Sequence, residues 1–190
     1  MDIQSGDALI VVDMQNDFCP GGALPVKDAD CIIPGINAMA HRFNQCFYTR
    51  DWHPPDHCSF SDNPLFIDGS WPSHCVQGTF GAEFHPDLRI PEDALIVSKA
   101  AEKEKENYSD FDGTRLAETL RIRRVKRVFV CGIATDYCVR ATVLDAIKGG
   151  FQAVLLEDLC KAIDPQGEGE RALQEIREAG AAIVNSGDLS

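Results

Sequence analysis

Groups capable of acid–base, metal-binding and nucleophilic chemistry follow four separate apolar runs of this 190-residue chain. In chain order they are Asp13, Asp51 with His53, Lys99 and Cys138. If the runs are parallel strands, their carboxyl ends share one edge of a sheet, where the turns that follow each strand form sites. The sequence therefore predicts that a carboxylate, a D-x-H pair, an amine and a thiol meet at that edge.

Cys138 is the candidate nucleophile. It lies in the stretch 128–142, where an apolar run gives way to a turn and then to an amphipathic helical pattern. A thiol in the first turn of a helix is close to the positive end of the macrodipole and to unpaired N–H groups, which favours thiolate. Those N–H groups could also hold an oxyanion. A single cysteine is more often a small buried apolar residue. The reactive role of Cys138 is favoured only because the carboxylate, the D-x-H pair and the amine are expected beside it.

Asp13 and Lys99 each have two interpretations from the sequence. A carboxylate at the rim of an apolar sheet either accepts hydrogen bonds from loop N–H groups or serves as a general acid and base. A lysine at a strand end either extends into solvent or, facing Asp13 and Cys138, holds negative charge in place during proton transfer.

Asp51 and His53 place two ligand-type side chains on the same side of an extended chain. His74 could complete a set of one carboxylate and two imidazoles, and His57 is a further candidate, either as a ligand or as a group behind the ligands. Such a set suits Zn²⁺, Fe²⁺ or Mn²⁺. We expect one divalent metal ion here, with zinc as the first choice.

Strand-like and helix-like patterns alternate along the chain. Apolar runs predict strands over residues 8–12, 46–49, 94–97, 127–130, 151–156 and 182–185, and helical patterns cover roughly 34–45, 114–124, 136–148 and 167–179. This alternation predicts an α/β fold, a three-layer αβα sandwich with a six-stranded, mainly parallel sheet, in a single domain over residues 1–190. The long aperiodic segment of about residues 51–93 is rich in Pro, His, Asp and Trp, which favours a functional loop.

The composition argues against several partners. The formal net charge is −12, so we expect no nucleic acid partner and no membrane partner. The first residues show no secretory signal, and no apolar run approaches membrane-spanning length, so we expect a cytoplasmic protein. The eight cysteines are dispersed and contain no CxxC pair, which indicates reduced thiols.

The chain resembles the isochorismatase-like hydrolase family and, within it, the nicotinamidases (pyrazinamidases). The resemblance covers most of the sequence and rests on residues 13–24, 49–54, 71–75, Lys99, 108–111 and 131–139. It implies the isochorismatase-like fold and the hydrolysis of nicotinamide to nicotinate and ammonia through a cysteine thioester, in NAD salvage. Ala100 stands where family members commonly have Gly, and the charged stretch before Tyr108 is longer than usual.

The resemblance also implies a role for each matching residue. It gives Asp13, Lys99 and Cys138 as the catalytic triad, Asp51, His53 and His74 as the metal ligands, and the N–H groups of Ala134 and Cys138 as the oxyanion hole. A cis peptide bond between Ile133 and Ala134 is implied as well. The substrate-binding residues are then Phe18, Trp71, Tyr108 and Ile133.

Three other functions stay open at this point. Another amidase of the family, acting on carbamoyl or maleamate-type substrates, would keep the triad but generally lack the metal set. Isochorismatase itself, a vinyl ether hydrolase, lacks the cysteine nucleophile. A non-catalytic binding module or metal-binding scaffold could share the fold without the activity. The sequence leaves open the oligomeric state, with a homo-oligomer as one alternative, and the activity on analogues such as pyrazinamide.

Overall fold

The computed structural model describes residues 1–66, 68–163 and 167–190, and these form a six-stranded sheet. The strands are β1 (Asp7–Val12), β2 (Cys46–Asp51), β3 (Leu95–Lys99), β4 (Arg127–Ile133), β5 (Gln152–Lys161) and β6 (Ala182–Val184). Their order across the sheet is β3-β2-β1-β4-β5-β6, and each neighbouring pair is parallel. The predicted six-stranded sheet is confirmed, and it is parallel throughout.

The central strands are buried because layers cover both faces of the sheet. Every residue of β1 is buried, and so are the six residues of β4 that follow Arg127. A strand covered on both faces reads as a continuous apolar run, which is the pattern that predicted these two strands.

Four α-helices surround the sheet in the described ranges. They are α1 (Ile33–Ala40), α2 (Leu116–Ile122), α3 (Arg140–Lys148) and α4 (Glu168–Glu178). Helix α1 is shorter than predicted because Phe43 packs edge-on against Phe129 of the sheet, with ring centroids 5.0 Å apart. Helix α2 ends where Arg124 adopts a φ of +60° and Val125 N–H bonds back to Leu120 C=O at 2.9 Å.

The connections place these helices in two layers. From β1 to β2 to β3 the chain moves toward one edge of the sheet, and from β3 through β4 and β5 to β6 it moves toward the other. Right-handed crossovers therefore put α1 on one face and α2, α3 and α4 on the opposite face, which gives the predicted αβα sandwich. The direction changes between β1 and β4, and a crevice opens there beyond the carboxyl ends of the strands.

Gly132 lets β4 run close beside β1 at this crevice. Its φ is +115°, and a Cβ at this position would lie 2.1 Å from the carbonyl oxygen of Val12. No other residue type fits such an approach without moving β1. The pairing of Val12 with Gly132 brings the residue after β1, Asp13, next to the end of β4.

Between β2 and β3, the described residues 52–66 and 68–94 bring His53, Trp71 and His74 to the edge that holds the crevice. Isolated bridges join His53 to Val76 and Phe60 to Trp71. In the described part of this segment the helical structure is limited to the three-residue turn Phe80–Ala82. The backbone bridges, rather than helices, hold the histidines and Trp71 in place.

The cysteines form no disulfide bond among the described residues. All eight cysteines are free thiols, and six of them are buried. Within the described ranges, no helix combines the length and the apolar character that crossing a bilayer would require.

Candidate active site

Lys99 contacts functional residues that lie at, or just beyond, the carboxyl ends of the strands. Its Nζ donates to Asp13 Oδ2 at 2.6 Å, forms an ion pair with Asp51 Oδ1 and lies 3.5 Å from Cys138 Sγ. The β2–β3 register sets Asp51 directly beside Lys99. Cys138 lies in a five-residue π-type turn, Thr135–Val139, between β4 and α3. The acid, the amine and the thiol therefore meet at one edge of the sheet.

Burial dominates the electrostatics of this group. Burial by itself would lower the pKa of the Lys99 ammonium, but the carboxylates of Asp13 and Asp51 hold it well above its usual range. Burial raises the pKa of Asp13 to about 6, against the attraction of Lys99. For Asp51, burial is outweighed by Lys99 and His53, and its pKa lies below the usual range. Asp51 thus stays ionised, and Asp13 is the carboxyl group that can exchange a proton near neutral pH.

The state of Cys138 differs from the prediction made from the sequence. Burial raises the pKa of its thiol well above the usual range, Lys99 lowers it, and the nearby carboxyl groups of Asp13, Asp51 and Asp110 raise it further. Helix α3, whose positive N-terminal end would favour thiolate, begins only at Arg140, two residues after Cys138. The resting group is therefore a thiol rather than a thiolate, and it requires a base.

Asp13 is placed to be that base. It follows β1 in a left-handed conformation with a φ of +52°, which is uncommon for a residue other than glycine. Thr49 Oγ1 donates to its Oδ1 at 3.0 Å, and Lys99 occupies its Oδ2. Carboxylate oxygens of Asp13 and Asp51 and the sulfur of Cys138 lie within 4.8 Å of one another.

The substitution Lys99→Met should destabilise the fold as well as the site. Removing a buried cation leaves Asp13 and Asp51 without their ion-pair partner, and breaking a buried pair costs about 3–5 kcal/mol. We expect a loss of this size in the free energy of unfolding, measured by urea denaturation.

Lys103→Met is the matched control, because Lys103 makes its ion pair with Asp56 at the surface, where solvent screening leaves such pairs with little effect on stability. Equal losses in the two variants would contradict the prediction.

Asp51, His53 and His74 form a group that fits a divalent metal ion. One ligand atom from each residue lies within 4.8 Å of the others, and all three residues are buried. Both ring nitrogens of His53 are buried without a hydrogen-bond partner among the described residues. The Nδ1–H of His74 donates to Pro72 C=O at 2.7 Å, which fixes the tautomer and leaves Nε2 as the ligand atom.

The two oxygens of Asp51 serve different partners. Lys99 binds Oδ1, whereas Oδ2 faces His53 Nε2 at 3.7 Å. A buried carboxylate oxygen and two buried imidazole nitrogens that lie this close together are a typical ligand set for a divalent metal. The residues present therefore fit the predicted ion.

His57 does not offer a free ligand atom. Its Nδ1 lies 2.8 Å from Ser59 Oγ and its Nε2 lies 3.1 Å from Lys105 C=O, so hydrogen bonds engage both nitrogens. The ring packs against His53 with centroids 4.3 Å apart. Of the two roles left open by the sequence, this geometry favours the group behind the ligands.

A small, largely apolar cavity opens beside the cysteine. Its lining includes three of the predicted substrate-binding residues, Phe18, Trp71 and Tyr108, together with Leu24, Asp51, His74, Glu106, Ala134, Tyr137, Cys138 and Ile163. Trp71 Nε1 donates to Tyr108 Oη at 3.0 Å, which fixes two of the aromatic walls against each other. The fourth predicted residue, Ile133, is buried at the end of β4 and is not among the lining residues.

The turn after β4 carries the backbone groups predicted for the oxyanion hole. The peptide bond between Ile133 and Ala134 is cis, as expected. The N–H groups of Tyr137 and Val139 both donate to the carbonyl of Ala134, at 3.1 and 3.0 Å. Ala134 and Cys138 themselves line the cavity.

Two polar residues that position the site were not singled out from the sequence. Gln15 accepts from the N–H of Asp51 and donates to its C=O, both at 2.8 Å. Asp17 accepts from the N–H of Cys75 at 2.7 Å and so holds the residue after His74. Both belong to the segment 13–24, where polar residues at i+2 and i+4 from Asp13 were the available signal.

The comparisons with known proteins agree with this geometry. The family model described as an isochorismatase domain matches residues 7–188. A nicotinamidase of Acinetobacter baylyi is 42% identical, and the match covers 96% of this chain and 94% of that protein.

Two solved structures extend the similarity. A pyrazinamidase of Pyrococcus horikoshii in complex with zinc is 52% identical, with a TM-score of 0.87 over 95% of this chain and 99% of that one. A protein of L. infantum in complex with nicotinate is 39% identical, with a TM-score of 0.92 over 100% of this chain and 98% of that one. On its fold, its site and these matches, the chain belongs to the isochorismatase family.

Proposed function

We propose that this chain is a nicotinamidase, which hydrolyses nicotinamide to nicotinate and ammonia. It is a hydrolase that acts on a carboxamide. The observation that carries the proposal is the single buried cluster in which Lys99 touches Asp13, Asp51 and Cys138 at the inner end of an aromatic cavity. The nicotinamidase relative and the nicotinate-bound structure support the same substrate class.

The first half of the reaction uses the thiol and the base. Asp13, as a carboxylate, takes the proton of Cys138, and the sulfur forms a bond to the amide carbon. The N–H groups of Ala134 and Cys138 stabilise the oxyanion that develops on the amide oxygen. Asp13 then transfers its proton to the amide nitrogen as the carbon–nitrogen bond breaks, so ammonia leaves and a thioester remains.

The second half regenerates the enzyme. Asp13 takes a proton from water while the water oxygen attacks the thioester carbon, and the carbon–sulfur bond breaks to release nicotinic acid, which loses its remaining proton to solvent to give nicotinate. The proton held by Asp13 returns to the sulfur of Cys138. Lys99 stays charged throughout and offsets the negative charge that moves between Asp13 and the sulfur, so the trio titrates as one coupled unit.

Phe18, Trp71 and Tyr108 provide the apolar walls for the pyridine ring. Asp51, His53 and His74 would hold the metal ion at one end of this cavity, and we propose zinc, because two imidazoles and one carboxylate are a common zinc set. The zinc complex of the P. horikoshii relative supports this choice. When bound, the ion supplies a Lewis acid that can hold the ring nitrogen or a water molecule.

The remaining expectations form part of the same proposal. Residues 1–190 would act as one domain, in the cytoplasm and in NAD salvage, and the free cysteines agree with a reducing compartment. Among the alternatives, the filled metal-ligand positions disfavour family amidases that lack them, and Cys138 disfavours isochorismatase chemistry. A non-catalytic module would have no need for a base, an amine and a thiol in contact.

Ammonia release from a panel of amides tests the proposal. We expect turnover with nicotinamide and none, or far less, with carbamoyl and maleamate-type amides. Metal content is measured on the same preparation. Metal binding without turnover of any amide would favour the scaffold interpretation instead.

Removal of the metal should weaken substrate binding more than it slows the chemical steps. If the ion holds the pyridine ring, chelation raises KM by about tenfold or more, whereas kcat at saturating nicotinamide changes far less. Stoichiometric Zn²⁺ should restore the original KM, with Fe²⁺ and Mn²⁺ compared in parallel.

His53→Ala and His41→Ala provide the matched variants for this measurement, since His53 is a proposed ligand and His41 is exposed. Bound metal should fall below one ion per chain only in the first. A dominant loss in kcat after chelation would show that the ion acts in the chemical steps instead.

A further inference from the structure

Asp110 is a third buried carboxyl group beside the Asp13–Lys99 pair, and the mechanism above does not use it. It has no exposed surface, and it lies between Tyr108 and the start of α2. Neither of its carboxyl oxygens makes an ion pair or a hydrogen bond of standard geometry among the described residues, and the hydroxyls of Thr49 and Thr142 are the polar side-chain groups placed to serve them. A fully buried carboxyl group with no ion pair requires an explanation, because burying an unpaired charge is very unfavourable.

The charges around Asp110 do not support its ionised form. The titratable groups that face it are Asp13 from the end of β1, Lys99 from the end of β3 and Cys138 from the turn after β4. Lys99 is already shared between Asp13 and Asp51. Burial raises the pKa of Asp110 well above its usual range, Asp13 raises it further, and the positive charge of Lys99 offsets this only in part.

The hydrogen-bond directions at the two hydroxyls lead to the same result. Thr49 Oγ1 donates its single proton to Asp13 Oδ1 at 3.0 Å, so it offers only lone pairs to Asp110. Thr142 Oγ1 accepts the backbone N–H of Asp110 at 3.0 Å and keeps its own proton for another acceptor. A carboxylate would present two acceptors, one of them toward the lone pairs of Thr49. A carboxylic acid can donate to Thr49 and accept from Thr142.

We propose that Asp110 is a neutral carboxylic acid that donates a hydrogen bond to Thr49 and thereby positions the Thr49 hydroxyl on the base, Asp13. Asp110 is then a positioning residue rather than a catalytic residue. It orders the hydroxyl without adding a third negative charge next to the thiol of Cys138. The inference deepens the proposed function, since it rests on Asp13 being the base of that reaction.

The substitutions Asp110→Asn and Asp110→Leu separate the donated hydrogen bond from the occupied volume. An asparagine side chain can donate to Thr49 and accept from Thr142, so we expect kcat within about threefold of wild type. A leucine side chain has a similar shape but no donor, and we expect kcat to fall about tenfold with KM nearly unchanged. A fall in D110N as large as in D110L would show that Asp110 acts as a carboxylate and would overturn the proposal. Wild-type kcat in both variants would overturn it as well.

Substitution of Thr49, which accepts the proposed hydrogen bond, provides a second test. Thr49→Ser keeps the hydroxyl and Thr49→Val removes it, so kcat should fall about tenfold in the valine variant only. Because D110L acts through this hydroxyl, the double variant T49V/D110L should lose no more activity than T49V alone. Multiplied losses in the double variant would contradict the coupling.

Infrared spectroscopy tests the protonation state without any substrate. A protonated carboxyl group gives a carbonyl stretching band distinct from that of a carboxylate, and the neutral-pH band of Asp110 should be present in wild type and lost in D110N. Identical spectra would overturn the proposal. If the protein does not hydrolyse nicotinamide, the proposed function fails in the wild-type assay, whereas this spectrum still decides the state of Asp110.

Discussion

Cys138→Ala should lower kcat for nicotinamide by about 10⁴-fold or more, because the covalent pathway loses the atom that attacks the substrate. The side chain is small and sits in a cavity wall, so the fold should survive its truncation. The variant should still bind nicotinate with an affinity near that of wild type, measured by calorimetry. Cys138→Ser serves as a companion, since its hydroxyl is a far weaker nucleophile at neutral pH.

Cys131→Ala is the matched control for this first prediction. Cys131 is equally buried, in the middle of β4, and takes no part in the proposed chemistry. Its truncation leaves a cavity and reduces stability, but kcat should stay near wild type. Acyl-enzyme trapped from the wild type by acid quenching should carry its added mass on the peptide that contains Cys138. A kcat within tenfold of wild type in C138A would rule out the thioester mechanism.

Asp13→Asn should have the second largest effect, a loss of about 10³-fold in kcat, within the range that general acid–base groups contribute. The amide has nearly the same shape as the carboxyl but cannot accept the proton of the buried thiol. The raised pKa of that thiol makes the base indispensable, since little thiolate forms without it.

The pH profile of the wild type provides the companion measurement to Asp13→Asn. Only the ionised form of Asp13 can act as a base, and its pKa is raised to about 6. Activity should therefore fall as the pH decreases through this value, or through a lower value once a bound cation adds its positive charge. An acidic limb well above neutral pH would assign the base to another group.

Asp7→Asn is the control for Asp13→Asn, because it makes the same change at the opposite end of the same strand. Asp7 is buried and forms an ion pair with Arg127. We expect reduced stability in this variant and a kcat near that of wild type. A comparable kcat loss in D7N would mean that the effect of D13N reflects damage to β1 rather than loss of the base.

The sequence predicted the central strands well, because a strand that is buried on both faces reads as a continuous apolar run. The runs in β1 and β4 are apolar without alternation, and each is followed by a turn, which predicts parallel strands. The predicted ends of the helices were less accurate than the predicted strands. Helix α1 stops early because Phe43 meets Phe129, a contact across 86 positions of the chain that no local pattern records.

At the site, too, the residue types were predictable from the sequence, whereas the long-range contacts were not. The types of Asp13, Lys99 and Cys138 and their positions after strands indicated which groups would meet. The roles of Gln15 and Asp17 were not visible, since they depend on which distant N–H groups the folded chain brings to each side chain. Ile133 was expected at the substrate, but it is the buried last residue of β4 and is not among the residues that line the cavity.

The sequence by itself determined the chemical inventory and the layout: an acid, an amine, a thiol and a ligand set, each after an apolar run and therefore at one edge of a parallel sheet. Only the tertiary structure decided the protonation states. Whether Cys138 rests as a thiol, whether Asp13 titrates near pH 6 and whether Asp110 keeps its proton depend on desolvation and on neighbours from other strands. These energies arise between groups far apart in the chain, so local spacing cannot encode them.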